Sequence, residues 1–551
     1  MRAVLSTRGA NPEILFRSGA NQGPGGASPA APGSNASQAA VIAFFSDPSN
    51  LSCDGPVEVI RTHAAFVFLA GASAYKIKRA VRYDYLDFST LTKRRNMLLR
   101  ELELNAPAAP QIYRDVVALV RDDAGKLVLG GVGKPVEWVL VMNRFDTDMQ
   151  LDKVAARGGL TDDLAVALGQ AVAAYHDAAP RRSEYGGAAL IGTILDELNH
   201  VFAGMADVLG QDPIDQFSDA ATKTHRHLSR LLDDRGRAGH VRRFHGDLHL
   251  RNITLIDGRP VLFDALEFNE TLGTGDVLYD VAFLVMDLLH QGPPRAANLA
   301  LSAYLFAEAS RDHDAGLAAL PLFLSIRAAI RTMVIVQTHR IDPSAIASLP
   351  EARAYLELAL SFLAPTPARL IVIGGLSGTG KSTISAALAP MLGKAPGAVH
   401  LRSDLERKAL FGAAPTTHLP AAAYGTVVSK QVYSRMLDRA RRILSAGHSV
   451  ILDATFLDES DRAAVAVLAD DVGVEMEALW LEAPIAALLE RVDSRKNDAS
   501  DADAKVVLSQ AQAVTPPIFW ARVDAAGDVS ATTQAALTAL SGVTPSATCA
   551  G

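Results

Sequence analysis

The fold of the second half of the chain is decided by Arg369-Leu-Ile-Val-Ile-Gly-Gly-Leu-Ser-Gly-Thr-Gly-Lys-Ser382. Its first part is an uninterrupted apolar run, typical of a strand buried on both faces of a parallel sheet. From Gly375 to Ser382 the sequence fits G-x-x-x-x-G-K-[ST], and it has the required strand before it and helix after it. Strands and helices alternate in the remainder. We therefore predict a doubly wound, parallel α/β domain with a phosphate-binding loop.

The loop residues predict a nucleotide site. Glycines permit tight turns, so that backbone N–H groups and the N-terminus of the next helix face the phosphates. Lys381 would neutralise the outer phosphates during catalysis, and the Ser382 hydroxyl would bind Mg²⁺. The predicted ATP-binding residues are Gly375, Ser377, Gly378, Thr379, Gly380, Lys381, Ser382 and Thr383.

Two carboxylates beyond this loop are candidates for chemistry. Asp453 ends a predicted strand, where a carboxylate can hold Mg²⁺ through water or serve only as a turn residue. Asp404 follows another predicted strand, at the sheet edge where doubly wound proteins bind ligands. The segment Arg402-Ser-Asp-Leu-Glu-Arg407 resembles small-molecule and polynucleotide kinases with a phosphate loop, in which an Asp here is the general base. The resemblance implies that role for Asp404, with helix capping as the alternative.

A lid is indicated by Glu490-Arg-Val-Asp-Ser-Arg495, which resembles the lid of the same kinases. The resemblance implies that Arg491 and Arg495 close over the transferring phosphoryl group. Arginines at i and i+4 are also typical of a solvated helix face. The acidic residues 498–503 lack the Gly and distal Glu of an EF-hand loop, and we expect them to be a solvated lid segment.

The first half carries a second phosphoryl-transfer signature, His245-Gly-Asp-Leu-His-Leu-Arg-Asn252, followed by Asp264 after a predicted hairpin. Protein kinases use the same order of a catalytic Asp, an Asn five residues later and a second Asp. His-Gly-Asp in place of His-Arg-Asp, and Asp-Ala-Leu-Glu in place of Asp-Phe-Gly, make the segment resemble the aminoglycoside phosphotransferase and choline kinase-like group. The resemblance covers roughly residues 57–363 and implies small-molecule substrates.

The same resemblance implies that Asp247 is the catalytic residue and that Asn252 and Asp264 are the metal ligands. A metal cluster of Asp247 with the two neighbouring histidines is the alternative, but it lacks further ligands at suitable spacing. His245 is better explained as a residue that fixes the loop.

The strand-rich segment before this signature is expected to bind phosphates. In Ala74-Tyr-Lys-Ile-Lys78, the resemblance implies that Lys76 binds the α- and β-phosphates. Lys78 remains a competitor, because strand side chains alternate and both lysines share a face. Glu101, on a predicted helix, is the expected partner of the lysine, with Glu103 as the alternative. The preceding turn around Gly71 lacks a complete glycine-rich loop, which predicts loose cover of the phosphates.

Composition predicts the domain organisation. Residues 1–50, rich in Gly, Ala, Pro and Ser, are predicted to be a disordered tail, because they offer little apolar surface to bury. Residues 51–363 are predicted to form a two-lobed, kinase-like domain, with strands preceding helices. Prolines at 365 and 367 separate it from the phosphate-loop domain at 364–541, and 542–551 form a tail. The predicted fold class is thus α/β and α+β in two domains.

Composition also limits the function. Among 551 residues the net charge is -7, which argues against a nucleic-acid-binding protein. The two cysteines, Cys53 and Cys549, cannot build a disulfide framework. The N-terminus does not resemble a signal peptide, and charged residues interrupt the apolar stretches, which predicts buried helices and no membrane contact. We expect a cytoplasmic protein.

The order of the two signatures resembles a bacterial fusion family described as bifunctional aminoglycoside phosphotransferase/ATP-binding proteins. The resemblance implies a bifunctional kinase that uses ATP and Mg²⁺ to phosphorylate hydroxyl groups of small molecules at two sites. Three alternatives remain. The first is one active phosphate-loop kinase gated by a nucleotide-sensing domain, the second is an aminoglycoside phosphotransferase, and the third is a nucleic-acid end kinase.

Overall fold

The computed structural model describes residues 34–62, 64–83, 86–182, 187–307, 313–341, 348–494, 499–516 and 518–540. Within them the chain forms two compact units, which are described separately below. Up to residue 363 the strands are β1 (Glu58–Arg61), β2 (Ala65–Ala70), β3 (Ser73–Lys78), β4 (Arg82–Tyr83), β5 (Leu86–Asp87), β6 (Tyr113–Arg121), β7 (Leu127–Leu129), β8 (Lys134–Asn143), β9 (Val241–Arg243), β10 (Ile253–Ile256), β11 (Arg259–Leu262) and β12 (Thr274–Asp276).

Six of these strands form one antiparallel sheet in the order β1-β2-β3-β8-β6-β7. Strands β2 and β3 form a hairpin, in which Ala70 lies opposite Ser73. Gly71 lies at the turn with a φ of 55°, a left-handed conformation that favours glycine. Two short antiparallel strand pairs, β9 with β12 and β10 with β11, follow later in the chain.

Eleven α-helices are described in this half of the chain. They are α1 (Ser34–Ser46), α2 (Leu91–Asn105), α3 (Leu151–Ala156), α4 (Asp162–Ala178), α5 (Gly187–Ala203), α6 (Ala206–Leu209), α7 (Gln211–Arg237), α8 (Val277–Gln291), α9 (Pro294–Ala307), α10 (Leu320–Ile341) and α11 (Leu349–Leu363). Helix α2 begins at Leu91, because the Thr90 side chain accepts a hydrogen bond from the Lys93 backbone N–H and caps the helix.

The prediction of a disordered tail up to residue 50 is wrong for residues 34–50. Helix α1 buries Val41, Phe44 and Phe45 against the six-stranded sheet. Its Gln38 is also bonded, because the side-chain amide donates to the Lys78 carbonyl at 2.9 Å. The low-complexity composition concealed three bulky side chains at helical spacing, and their burial offsets the entropy of ordering the segment.

One helical segment, Ala315–Arg340, is long and apolar enough to cross a membrane by length and composition alone. Of its most apolar window, 78% is buried inside the protein. Its Arg327 is buried as well, with the guanidinium 3.8 Å from the centre of the Tyr279 ring. These contacts confirm the prediction of a buried helix here.

The phosphate-loop half has the predicted alternation of strands and helices. Its strands are β13 (Arg369–Gly375), β14 (Val399–Arg402), β15 (Val450–Asp453), β16 (Glu475–Glu482) and β17 (Ala521–Asp524). Its helices are α12 (Lys381–Leu388), α13 (Ser403–Leu410), α14 (Thr426–Ser445), α15 (Glu459–Val472), α16 (Ile485–Asp493), α17 (Ala504–Ala513) and α18 (Val529–Leu540).

All five strands are parallel, in the order β14-β15-β13-β16-β17, which confirms the predicted doubly wound sheet. The apolar run of β13 lies in the centre, with Ile371 and Ile373 fully buried. Register places Ile373 beside Asp453 of β15. The carboxyl ends of β13, β14 and β15 therefore bring the loop and both candidate carboxylates to one edge of the sheet.

The units differ from the predicted contiguous domains. Residues 161–173 and 292–321 group with the phosphate-loop half, whereas the rest of the described chain up to 363 forms the other unit. Within the second unit, Asn298 donates its side-chain amide to the Ala398 carbonyl at 3.0 Å. Asp314 forms a salt bridge with Arg439 at 2.9 Å. These long-range bonds, which sequence patterns do not reveal, place residues 292–321 there.

Buried His448 predicts how the second unit responds to acid. Its Nε2 lies 2.9 Å from the Leu317 carbonyl, while its buried Nδ1 has no hydrogen-bond partner among the described residues. Burial lowers the pKa of His448 to about 4, and the positive charge of Lys394 adds to this effect. The folded state therefore holds a neutral ring, whereas the unfolded chain takes up a proton below about pH 6.5.

We expect His448 to lower the free energy of unfolding by on the order of 3 kcal/mol as the pH falls from 6.5 to 4. The unfolding midpoint of the second unit, measured by calorimetry at pH 7 and pH 4.5, should therefore fall less in His448→Gln than in the native chain. Exposed His418 provides the control, and His418→Gln should behave like the native protein. An equal fall in all three proteins would contradict this role for His448.

Candidate active sites

The candidate catalytic loop of the first site follows β9 and is held by Asp280 of α8. The backbone N–H groups of His245 and Gly246 each donate to an Asp280 carboxylate oxygen at 3.0 Å. The buried His245 ring contacts the Phe263 carbonyl through Nε2 at 2.9 Å. These bonds support the loop-fixing role for His245 and fix the position of the next residue, Asp247.

Asp247 and Asn252 lie together. The Asn252 side-chain amide donates to Asp247 Oδ2 at 2.9 Å, which leaves Asn252 Oδ1 as the atom that can bind a metal. His249 Nε2 lies 3.4 Å from the same Asp247 oxygen. Burial would raise the pKa of the Asp247 carboxyl, but His249 and His245 hold it well below its usual value. The loop thus presents an ionised carboxylate.

Lys76, Glu101 and Asp264 form one ion-pair network. Lys76 Nζ lies 2.6 Å from Glu101 Oε1 and 3.1 Å from Asp264 Oδ1. Asp264 adopts a left-handed φ of 61°, and its backbone N–H donates to the Tyr113 hydroxyl at 3.0 Å. Such a strained conformation persists only where its surroundings fix it. The structure therefore brings Lys76 to the candidate metal ligand.

Lys78 has a different environment on the same strand face. Its Nζ pairs with Glu101 Oε2 and Glu267 Oε1, both at 2.6 Å, and its side chain is only 2% exposed. Burial would raise the pKa of Glu101, but the two lysines lower it to about 2. Glu103 instead pairs with Arg100 at the surface. Both lysines therefore share Glu101, while Lys76 alone of the two reaches Asp264.

The ligands present suit Mg²⁺ that is shared with a nucleotide. Among the described residues, no group of three or more His, Cys, Asp or Glu side chains forms a metal cluster. Asn252 and Asp264 together supply one amide oxygen and one carboxylate. Mg²⁺ is commonly bound through one or two carboxylates plus substrate phosphates, so the fit is consistent with that use.

In the second site, the phosphate-binding loop joins β13 to α12. Gly378 has a φ of 92°, and a Cβ there would lie 2.8 Å from the Leu488 carbonyl oxygen, so only glycine fits. Gly380 is the N-cap of α12 and supplies no side-chain capping bond. The first N–H groups of α12 are therefore oriented to bind an anion.

Contacts within the second unit hold the loop in this shape. Thr379 Oγ1 and Lys381 Nζ donate to the Leu376 carbonyl at 2.8 and 2.9 Å. The Ser377 N–H donates to Gln510 Oε1 of α17 at 2.8 Å. Ser382 is half-buried and Thr383 exposed at the start of α12. Gln510 was missed by sequence reasoning, because no motif marks it.

Asp453 is a buried, ionised carboxylate beside the loop. Its Oδ2 lies 3.0 Å from His400 Nε2 and 3.9 Å from Arg402 Nε. Burial would raise the pKa of Asp453, but His400, Arg402 and Lys381 lower it to about 2. Together with the Ser382 hydroxyl, this carboxylate suits Mg²⁺ chemistry.

Asp404 lies in the first turn of α13 and does not cap it, because the N-cap is Arg402 and no side-chain capping bond is formed. Burial raises the pKa of Asp404, and the negative charge of Asp453 adds to the rise, while Arg402 and Lys381 oppose it. The site thus holds two carboxylates in different environments. A raised pKa favours the general-base role.

Of the two arginines predicted to belong to a lid, only Arg491 lies within the described residues. Arg491 Nη1 donates to the Ala525 carbonyl at 2.9 Å and lies 3.5 Å from the Gly378 carbonyl. It therefore contacts the backbone of the phosphate-binding loop at Gly378. Arg495 lies outside the described residues.

The expectation of a solvated lid segment is wrong for Asp501. Its Oδ2 accepts hydrogen bonds from Lys408 Nζ at 2.6 Å and from the Leu419 N–H at 2.9 Å, and it also bonds the Tyr424 hydroxyl. Lys408 is fully buried. A buried ammonium needs a charged partner, and Asp501 supplies it. Asp503 caps α17 instead.

Comparison with known proteins matches both halves. Residues 97–316 match the phosphotransferase enzyme family, and residues 370–517 match an AAA domain. The uncharacterized proteins Rv2004c of Mycobacterium tuberculosis and Mb2027c of Mycobacterium bovis are each 30% identical over 485 residues. The match covers 86% of this chain and 93% of each relative.

Solved structures resemble the two halves separately. A choline/ethanolamine kinase family protein from Mesorhizobium loti is 15% identical, with a TM-score of 0.37, covering 60% of this chain and 95% of that one. A gluconokinase from Sinorhizobium meliloti is 21% identical, with a TM-score of 0.23, covering 32% of this chain and 92% of that one.

Proposed function

Because the chain belongs to the family of two-domain proteins that join an aminoglycoside phosphotransferase/choline kinase-like domain to a phosphate-loop kinase-like domain, we propose that it is a bifunctional enzyme. It transfers the γ-phosphoryl group of ATP to hydroxyl groups of small molecules at two Mg²⁺-dependent sites in the cytoplasm. The observation that carries the proposal is the joint placement of Lys76, Glu101 and Asp264 in one ion-pair network. Asp247 and Asn252 lie together on the catalytic loop.

At the first site, Asp247 is the proposed base. Its Oδ2 is occupied by Asn252 and His249, so Oδ1 receives the acceptor proton. The acceptor O–H bond breaks, its oxygen bonds the γ-phosphorus, and the β–γ bridging bond breaks to release ADP. Mg²⁺ would neutralise charge on the phosphates, held by Asn252 and Asp264.

At the second site, the proposed roles are divided among the loop, the helix and the strand ends. The N–H groups of the loop and Lys381 bind the β- and γ-phosphates, while Ser382 and Asp453 would hold Mg²⁺. Asp404 accepts the acceptor proton, and Arg491 and Arg495 belong to the lid.

The test is ADP release by the intact chain with ATP and Mg²⁺, against a panel of sugars, amino alcohols and nucleosides. The proposal predicts that at least one acceptor raises ADP release and appears as its phosphate monoester by mass spectrometry. Turnover that no acceptor stimulates would argue against it. Failure to bind oligonucleotides even at low salt would exclude the nucleic-acid end kinase.

A nucleotide-sensing first domain is the second candidate. The two-residue turn between β2 and β3 favours it, because a short turn offers few backbone N–H groups to phosphates. In that case the first site binds ATP without turning it over, and ATP binding there changes the rate at the second site.

Lys76 and Lys78 have distinct predicted roles. In a Lys381→Ala background, which disables the second site, Lys76→Met should weaken ATP binding about 10- to 100-fold, because the group near Asp264 is lost. Lys78→Met should instead destabilise the first unit by about 3–5 kcal/mol, since it leaves buried carboxylates under-paired. ATP titration and thermal unfolding measure the two effects. The reverse pattern would assign phosphate binding to Lys78.

A further inference from the structure

Three arginines that are far apart in the sequence converge on Glu270. Arg100 Nη2 of α2 lies 2.8 Å from its Oε2, and Arg243 Nε of β9 lies 3.1 Å from the same oxygen. Arg182 Nε lies 3.5 Å from Oε1. All four residues belong to the first unit, and Glu270 lies six residues after the candidate metal ligand Asp264. The function described above does not use this cluster.

Arg243 anchors one side of the cluster. Its side chain is 1% exposed, and Nη1 donates to the Phe244 and Gly273 carbonyls at 2.6 and 2.9 Å. Nη2 bonds the Leu266 carbonyl. With these N–H groups bound to backbone, the guanidinium is rigidly placed, and its Nε remains for Glu270. The carboxylate is thereby fixed to the part of the unit that carries Asp247, Asn252 and Asp264, which we call the catalytic half.

Arg100 connects the other side of the cluster to the phosphate-binding network. It precedes Glu101, the buried carboxylate that pairs with both lysines of β3. Arg100 and Glu101 are adjacent on α2, so a shift of the helix that separates Arg100 from Glu270 would also move Glu101 relative to Lys76. Arg100 has a second partner, Glu103 Oε2 at 2.9 Å, but that residue lies on the same helix and cannot restrain it.

The charge states of these residues favour stable ion pairs between Glu270 and the arginines. Burial would raise the pKa of Glu270, but Arg100 and Arg243 lower it, so the carboxylate stays ionised at neutral pH. Charge-assisted hydrogen bonds are about twice as strong as neutral ones. Glu270 thus bridges two arginines that would otherwise repel.

We propose that Glu270 is a positioning residue of the first site, which holds α2 against the catalytic half and so keeps Glu101 on Lys76. The proposal rests on the proposed function only in the assignment of Lys76 to phosphate binding. Asp264 and Asp247 touch the reacting groups, whereas Glu270 acts through Arg100 and α2.

The test compares Glu270→Gln with Glu103→Gln, which removes the other carboxylate partner of Arg100. Both are made in the full chain with Lys381→Ala, which removes a phosphate-binding group of the second site from every protein compared. Amide hydrogen exchange of residues 91–105 should accelerate about 10-fold in Glu270→Gln and stay unchanged in Glu103→Gln. Binding of the non-hydrolysable analogue AMP-PNP with Mg²⁺ should weaken about 10-fold in Glu270→Gln alone, and Glu270→Asp should restore part of it.

Three results would overturn the proposal. They are unchanged exchange of α2 in Glu270→Gln, an equal effect of Glu103→Gln, and an equal acceleration in α8, which would indicate general loosening. If AMP-PNP fails to bind the parent protein at the first site, the proposed function fails. The exchange data then still decide whether Glu270 holds α2.

Discussion

Asp247→Asn is expected to reduce phosphoryl transfer at the first site about 10²- to 10⁴-fold, the usual contribution of a general base. The amide keeps the shape of the carboxylate, and its oxygen can still accept from Asn252, so the loop should stay folded. It cannot take the acceptor proton. ATP affinity should therefore change little, and the loss should appear in kcat.

The measurement is ADP release with the accepted substrate in a Lys381→Ala background. Asp257→Asn is the matched control, because it makes the same chemical change at an exposed residue. Asp257 lies ten residues after Asp247, in the turn between β10 and β11. Its activity should equal that of the parent. Retained turnover in Asp247→Asn would refute the catalytic assignment. Unchanged total turnover with tight ATP binding in an otherwise native chain would favour the nucleotide-sensing candidate.

Lys381→Ala is expected to abolish turnover at the second site, with a loss of about 10³-fold or more. The ammonium group neutralises charge on the phosphates as they move toward the transition state, where preorganised charges contribute most. Its Nζ currently donates to the Leu376 carbonyl within the loop, so it needs only a local movement to reach a ligand. Folding should not depend on it.

Turnover at this site is measured in an Asp247→Asn background, with Lys505→Ala as the control. Lys505 is an exposed lysine on α17 and should be dispensable. The double variant Asp247→Asn/Lys381→Ala should release no ADP above the uncatalysed rate. Substantial residual release would mean that a group outside these two assignments performs the chemistry.

The two folds were predictable because their signals are local. An unbroken apolar strand, a glycine loop and a helix start are contiguous in the chain, and the parallel sheet around β13 follows from them. The placement of Asp247 beside Asn252 also depends on one short loop. By contrast, helix α1 was missed, because small residues dominate the composition around Val41, Phe44 and Phe45.

The partners within the sites were not predictable to the same degree. Lys76 meets Asp264 across 188 positions of sequence, and Asp501 meets Lys408 across 93. Neither Asp501 nor Lys408 belongs to a motif, and the acidic composition around Asp501 predicted that it is exposed to solvent. Packing of the whole unit buries Lys408. A buried ammonium is costly unless it is paired, and its partner can come from a distant part of the sequence.

The two fold types, the phosphate-binding loop and the residue types of both sites follow from the sequence alone, because these depend on spacing within short segments. Packing in three dimensions is needed to learn that both lysines share Glu101, that Glu270 contacts three arginines, and that residues 161–173 and 292–321 group with the second unit. Those choices depend on which charges become buried together. Burial is set by packing of the whole unit, not by neighbours in sequence.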